Sequence, residues 1–336
     1  MTNRKKKNTI HDVAREAGVS YQTVSRVLNR NSSVAEETRK RVLQTIEALD
    51  FVPSKIAQML TTNRSHTLEL IIVDIRHGGR FADSIQNMAL AARDADYNLL
   101  VTMTEIENLG TTLDDAAARL IDGVVMYAPA LHITDEKLLD LCSEMPLVRR
   151  DYVKDSRLAW VGFDQRYATS IAVEHLIELG HRQIATIPPT LNHINGQWRY
   201  QTWRETLQKH NLEPGPMCEA PYTFHGGYEA MNQILANQQP FTAVLVGADT
   251  IALGAMRALQ QHGLRIPDDI SVVSFDNAEL SNFTEPPLTT VNFDFNQQDT
   301  TAIRYLIEIL NTPDMTPQQH ILVPSLIVRE STRQPK

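Results

Sequence analysis

The chain has 336 residues, of which 42% are hydrophobic and 21% charged, and a formal net charge of −8. That length suits two or three folding units, and two distant cysteines, Cys142 and Cys218, without a Cys/His cluster argue against a disulfide framework or a structural zinc site. No apolar run reaches the roughly 18 residues of a membrane span, and the basic start RKKK has no apolar stretch behind it, so a cytoplasmic protein without a membrane partner is expected.

The net charge hides an asymmetry. Residues 1–64 hold 12 Lys+Arg against 6 Asp+Glu, a net +6, whereas the remaining 272 hold 20 against 34, a net −14. A basic head on an acidic body suits a phosphate-binding module joined to a second function. A solubilising tail is the plainer alternative, because Arg4–Lys7 supply four of those positive charges.

Three short helices are predicted in the first fifty residues. TIHDVAREAG opens with Thr9 as N-cap and Asp12 three positions on, a capping-box spacing, and Gly18 suits the position that ends a helix. VSYQTVSRVLN follows, with Ser20 as N-cap. Its Val24, Val27 and Leu28 fall on one face, predicted to pack on Val13 and Ala17. The opposite face carries Tyr21, Gln22, Ser25, Arg26 and Asn29, with no carboxylate. Gln matches adenine and Arg matches guanine by paired hydrogen bonds, so this face suits nucleic acid. It equally suits solvent. EETRKRVLQTIEALDF gives the third helix, with Val42, Ile46 and Leu49 as its stripe and Leu43 beside it. The layout is that of a helix-turn-helix.

Pro53 stops the third helix, and a linker is placed at residues 51–65. From Thr67 the texture changes. Apolar runs such as LELIIVDI, YNLLVTM, GVVMY, FTAVLVG and DISVVSF alternate with helical patterns such as SIQNMALAARDA and TIALGAMRALQQHG. Strands and helices in alternation predict parallel α/β sheets, and the length predicts two lobes with a cleft between them.

Motifs for catalysis are missing. There is no Gly-x-Ser-x-Gly, no Gly-Lys-Ser/Thr phosphate loop, no His-Glu-x-x-His and no Gly-x-Gly-x-x-Gly. His175 and His181 lie six apart, unsuited to one metal on one helix face, and read as surface or capping residues. No enzyme activity, cofactor or metal is expected.

Two segments decide the reading. TIHDVAREAGVSYQTVSRVLN and VAEETRKRVLQTIEALDFVPSKIAQML resemble the DNA-binding head of the lactose-repressor (LacI/GalR) family of bacterial transcription regulators. The likeness continues more weakly in VEHLIELGHRQIA, LVGADTIALGAMRAL and DISVVSFDNAELSNFTEPPLTTV. It implies a helix-turn-helix domain at 1–50 and a hinge helix at 51–65. It also implies an effector-binding and dimerisation body at 66–336 with a two-lobed, periplasmic-binding-protein-like fold. The lobes are expected near 66–163 with 293–323 and near 164–292 with 324–336.

The resemblance further implies a homodimeric repressor on a pseudo-palindromic operator in double-stranded DNA. Tyr21, Gln22 and Arg26 are similar to the reading set of the lactose repressor, implying a lac-like half-site. Thr9, Ser20, Thr23, Ser25 and Asn29 would position the helix on phosphates and nearby bases. In the hinge, Ile56 joins Ala57, small enough for close approach at a two-fold axis, and Leu60, placed to wedge into the minor groove. An isolated helix of about seven residues is unstable in water, so SKIAQML is expected to form on DNA.

For the cleft, the matching positions are Asp151, Arg199 and Asp276, with Tyr222 and Phe293 as ring surfaces and Arg76 and Tyr127 as further candidates. Carboxylates and an Arg fork suit vicinal hydroxyls, so a small sugar is the expected effector. An acidic sugar derivative or sugar phosphate is the alternative, prompted by Arg76, His77, Arg80 and the Arg149–Arg150 pair. The chain departs from the family at Ala35, where a capping residue is usual, at Phe51 for a frequent Tyr, and at Ala248 for a frequent Asn. No heptad pattern follows Arg333, so the family's tetramer helix is not expected.

Overall fold

The computed structural model describes residues 8–28, 34–51, 64–73, 81–129, 134–142, 145–151, 156–312 and 314–336. Of the expected site residues, Asn29, Ile56, Ala57, Leu60 and Arg76 lie outside the described residues. The chain divides into two compact units, 1–65 and 66–336.

The first unit holds α1 (Ile10–Glu16), α2 (Tyr21–Leu28) and α3 (Glu36–Ala48). The capping box forms: Asp12 N–H donates to Thr9 Oγ1 at 3.3 Å and Thr9 N–H to Asp12 Oδ2 at 2.9 Å. These bonds satisfy amides that the first helical turn leaves without partners. The other end closes at Gly18, with φ +64°. Val19 N–H reaches Ala14 O at 3.0 Å and Gly18 N–H reaches Arg15 O at 3.3 Å, the paired bonds of a Schellman turn. Ser20 then caps α2 by accepting from Thr23 N–H at 3.1 Å.

Val13, Ala14, Ala17, Val24, Val27, Val42 and Phe51 form the core of this unit, with Leu28, Ile46 and Leu49 against it. Leu43 stays exposed. A core this small makes the backbone terminations matter. Ala35 provides no side-chain cap to α3. Phe51 buries its ring and donates its N–H to Ile46 O at 3.0 Å.

The second unit contains two sheets. The first has the order β10-β5-β4-β3-β1-β2, with β1 (Thr67–Val73), β2 (Asn98–Thr104), β3 (Gly123–Tyr127), β4 (Leu147–Arg149), β5 (Ala159–Phe163) and β10 (Gln319–Leu322), all parallel. Helices α4 (Phe81–Asp94) and α11 (Phe295–Asn311) cover one face, α5 (Leu109–Ala118) and α6 (Asp135–Leu141) the other.

The second sheet has the order β11-β9-β8-β7-β6, with β6 (Ile184–Ile187), β7 (Ala243–Val246), β8 (Ser271–Phe275) and β9 (Thr289–Asn292) parallel. The edge strand β11 (Ser325–Ile327) is antiparallel. It is flanked by α7 (Gln165–Glu178) with α8 (Ile194–Lys209), and by α9 (Phe224–Ala236) with α10 (Asp249–Gln261). The inner strands are buried along nearly their whole length, as sheets covered on both faces require, while the edge strands β2, β10 and β11 are only partly buried.

The chain passes between the sheets three times: from β5 to α7, from β9 to α11, and from β10 to β11. One sequence reading is corrected. His181 is neither a surface nor a capping residue but is buried, with Nδ1 2.8 Å from Thr242 Oγ1 and Nε2 2.9 Å from Arg333 O. Burial lowers its pKa, and the ring ties the C-terminal segment to the second lobe.

A Cβ at Gly18 would meet no atom within 4 Å, so Gly18→Ala tests backbone strain alone. The left-handed conformation costs an Ala about 1 kcal/mol. Amide exchange at Val24 and Val42 is expected to rise roughly fivefold, and an unchanged rate would remove Gly18 from the determinants of this turn.

Candidate nucleic-acid interface and interlobe ligand cleft

The buried side of α2 is Val24 and Val27, both held in the first unit's core. With that face committed, Tyr21, Gln22 and Arg26 are exposed, and Thr23 and Ser25 are half-buried. Tyr21 keeps 50% of its surface in water, an uncommon exposure for an aromatic side chain. Its ring lies 5.4 Å, centroid to centroid, from the His11 imidazole on α1, so the first helix braces the second's leading aromatic. Nothing in the sequence reading had singled out His11. The Thr9 hydroxyl is engaged with Asp12, and Ser20 Oγ lies 3.0 Å from Thr23 Oγ1.

Arg15 pairs with Asp12 at 2.5 Å on the same helix. Three hydrogen bonds hold the Asp12 carboxyl below its ordinary value, the largest effect coming from the Thr9 backbone. Hence the one carboxylate near the start of α1 serves the cap.

In the second unit, three of the expected ligand residues sit at the carboxyl ends of parallel strands, where α/β folds place their sites. Tyr127 ends β3, Asp151 follows β4 and Asp276 follows β8. Arg199 and Tyr222 come from α8 and from the segment before α9. Asp151 and Tyr127 therefore belong to the first lobe, and Arg199, Tyr222 and Asp276 to the second. The two sets are electrostatic neighbours. Burial pushes the Tyr222 hydroxyl up to about 12, Arg199 opposes this, and the carboxylates of Asp276 and Asp151 add to it. The Tyr127 hydroxyl is raised by burial first, then by Asp151, Tyr222 and Asp276, with Arg150 opposing.

Asp151 is the most constrained of these groups. Its Oδ2 accepts from Ala128 N–H at 3.0 Å, and Arg149 Nη2 lies 3.9 Å away. Its Oδ1 is buried and has no hydrogen-bond partner among the described residues. Burial raises its pKa, opposed by Arg149, by the Ala128 N–H and by Arg150. Arg199 lies against the faces of Phe275 and Phe293, with ring centroids 4.3 and 5.3 Å from its guanidinium carbon. Its Nε donates to Gln165 Oε1 at 3.1 Å and its Nη1 to the Gly247 carbonyl. Phe293 is buried in the second lobe's core, so it stands behind Arg199.

Two further features were missed by sequence reasoning. Arg149 and Arg150, which prompted the acidic-effector alternative, are both buried and paired. Arg149 Nη1 donates to Asp135 Oδ1 at 3.2 Å, and Arg150 Nε donates to Asp299 Oδ1 at 2.6 Å. Asp249 was passed over for its neighbour Ala248. It is buried and accepts from Ser274 Oγ, from Thr290 Oγ1 at 2.8 Å and from Ala278 N–H at 2.7 Å. These donors come from β8, β9 and the turn after β8, the turn that holds Asp276 at φ +104°. The visible signal was an Asp at the first position of a helix directly after an apolar strand.

Residues 9–54 match the model for bacterial regulatory proteins of the lacI family, and residues 173–332 match that for a periplasmic binding protein-like domain. The chain is 32% identical over 330 residues to the HTH-type transcriptional repressor PurR of Histophilus somni, covering 97% of this chain and 99% of that one. It is 31% identical over 335 residues to PurR of Haemophilus influenzae, with 97% and 98% covered.

The chain belongs to the LacI family. Its fold is similar to that of the lac repressor dimer bound to operator and the anti-inducer ONPF, at TM-score 0.86 and 29% identity over 98% of this chain and 100% of that one. It is also similar to the transcriptional regulator CelR in its cellobiose complex, at TM-score 0.74 and 26% identity over 97% and 100%. This LacI-family protein is thus a transcriptional repressor with a DNA-binding head and an effector-binding body, not an enzyme. Among the described residues, no helix is long and apolar enough to cross a membrane.

The buried network of this LacI-family body carries a pH signature. Burial, and next the charge of Asp276, push the Asp249 carboxyl up from 3.8 to about 7. The folded state therefore holds this proton more tightly than the unfolded chain. The resulting stabilisation is complete below about pH 3.8 and is lost as pH rises through about 7. In paired thermal melts, the deficit of Asp249→Asn relative to wild type is expected to shrink between about pH 4 and about pH 8. A deficit constant across that window would show that Asp249 carries no such proton.

Proposed function

We propose that this repressor binds, as a homodimer, a pseudo-palindromic operator with lac-like half-sites and responds to a small neutral sugar held between its lobes. The reading of DNA rests on one observation: Tyr21, Gln22 and Arg26 are exposed on a helix whose other face is buried. Gln22 and Arg26 are one turn apart, so they address neighbouring base pairs, and each forms bidentate bonds with a purine edge. Thr9, Ser20, Thr23, Ser25 and Asn29 contact phosphates and flanking bases. The division into a head at 1–50, a hinge at 51–65 and a body at 66–336 belongs to the same reading. In the hinge, Ile56, Ala57 and Leu60 meet the minor groove, with Leu60 as the wedge.

The effector class rests on Asp151. A buried carboxylate oxygen without a partner among the described residues calls for a donor, and a hydroxyl supplies one. Asp276 offers a second acceptor from the opposite lobe, and Arg199 offers donors. The cationic side chains next to Asp151 are already matched by Asp135 and Asp299. The remaining balance favours a neutral, hydroxyl-bearing ring over a sugar acid or phosphate. The cellobiose complex of CelR is in keeping with this class. Effector binding changes the angle between the lobes and with it the spacing of the hinge helices, the two-state element that sets operator affinity.

Gel shifts over a salt series on a lac-like palindrome and on random duplex test the head. Arg26→Ala and Leu60→Ala are each expected to cost about 1–3 kcal/mol on the palindrome and much less on random DNA. Equal losses on both would remove the reading and wedge roles. Calorimetry with neutral sugars, sugar phosphates and nucleobases tests the cleft. Asp151→Asn should weaken the sugar that binds by about 10–100-fold, and tight binding of nucleobases alone would overturn the effector class.

A further inference from the structure

Arg150 stands between Arg149 and Asp151 and is anchored from behind. Its Nε donates to Asp299 Oδ1 at 2.6 Å and its Nη2 to Ser84 Oγ at 2.9 Å, while Asn87 Nδ2 donates to the other Asp299 oxygen at 3.1 Å. The two charged side chains retain 9% and 0% of their exposure. An ion pair so deeply buried adds little net stability over an apolar pair of the same volume, because desolvation offsets the attraction. Its placement is better explained by what the guanidinium touches.

The guanidinium carbon lies 5.4 Å from the centre of the Tyr127 ring and 5.6 Å from that of Phe295. Tyr127 is a ligand-wall residue of the first lobe. Phe295 opens α11 directly after the β9 crossover, 5.6 Å edge-on from Phe163 at the β5 crossover and 5.9 Å from Phe293. Phe293 in turn lies under Arg199, a ligand-wall residue of the second lobe. One unbroken series of cation–ring and ring–ring contacts therefore runs from the first lobe's wall, through two of the three crossovers, to the second lobe's wall. A flat, permanently charged fork suits this place, since it hydrogen-bonds in its plane and presents its faces to the rings.

We propose that Arg150 is a positioning residue for the effector response. Held by Asp299 and Ser84, it clamps Tyr127 on the ligand side and Phe295 on the crossover side. Rotation of the lobes at the crossovers is thereby coupled to the ligand wall beside Asp151. Ser84 and Asn87 carry the same clamp to α4. This role rests on the cleft proposed above, but its test needs no ligand and so stands or falls apart from the effector class.

The experiment is hydrogen exchange on the full-length, ligand-free protein. Arg150→Met combined with Asp299→Leu removes both charges at once and leaves no orphan ion. The expected result is a melting temperature equal to or above that of wild type. Exchange should be about tenfold faster in peptides covering residues 163–166 and 293–297, with the β7 core unchanged. Phe295→Leu, which leaves the ion pair intact, should give the same local pattern. Arg150→Lys, which keeps the charge without the fork, should fail to preserve protection at the crossovers. Unchanged exchange at both crossovers in the folded double variant overturns the proposal. So does a loss of protection spread evenly over the body, the mark of a merely structural role. Should the double variant not fold, the Phe295→Leu outcome decides by the same two criteria.

Discussion

Asp151 carries a carboxylate out of water at the end of a strand, and much of the first lobe's polar chemistry follows from the cost of putting it there. A buried charge persists only where donors and opposite charges surround it. The Ala128 N–H and Arg149 do this directly, and Arg149 then needs its own counter-charge, which Asp135 supplies. Asp135 in turn accepts from Ser156 Oγ and from Arg157 N–H, both at 2.7 Å. Arg150, one residue before Asp151, repeats the arrangement toward α4 and α11 through Asp299. The result is a cluster of buried charges balanced internally, which leaves a demand for hydrogen-bond donors more than for opposite charge.

The second lobe solves a different problem with the same parts. Asp276 is held at a positive φ, a conformation that a non-glycine residue keeps only where its surroundings impose it. Asp249 imposes it by gathering donors from β8, β9 and the turn after β8 onto one buried carboxyl. Burial first, and then the nearby charge of Asp276, disfavour the ionised form of Asp249, which is why its proton is retained toward neutral pH. The head works on a smaller scale. Among the described residues, seven buried side chains form its core, so the Thr9–Asp12 box, the Gly18 turn and the Ser20 cap do what a larger core does elsewhere.

Much of this was legible in the chain. The apolar face of α2 could be read from the spacing of Val24, Val27 and Leu28, since helical periodicity is a local property. The caps at Thr9 and Ser20 were equally local, because each hydrogen bond closes within three residues. The alternation of strands and helices predicted two sheets. His181 was misread because its partners, Thr242 and Arg333, lie 61 and 152 residues away. The pairing of Arg149 and Arg150 was illegible for the same reason: a charge has no visible partner in the sequence, and Asp299 is 149 residues from Arg150.

The sequence by itself determined the class of each unit, the face of α2 turned inward, the residue types exposed on that helix and the carboxylates placed after strands β4 and β8. These depend on periodicity, capping and motif, all encoded over a few turns of chain. Tertiary structure alone decided which charges are already matched, that Asp249 carries the turn of Asp276, and that Arg150 joins Tyr127 to Phe295. The physical reason is that desolvation and pairing act through space. The standing of a charged side chain is set by whatever the fold brings within a few ångströms of it, and that neighbour is seldom near in sequence.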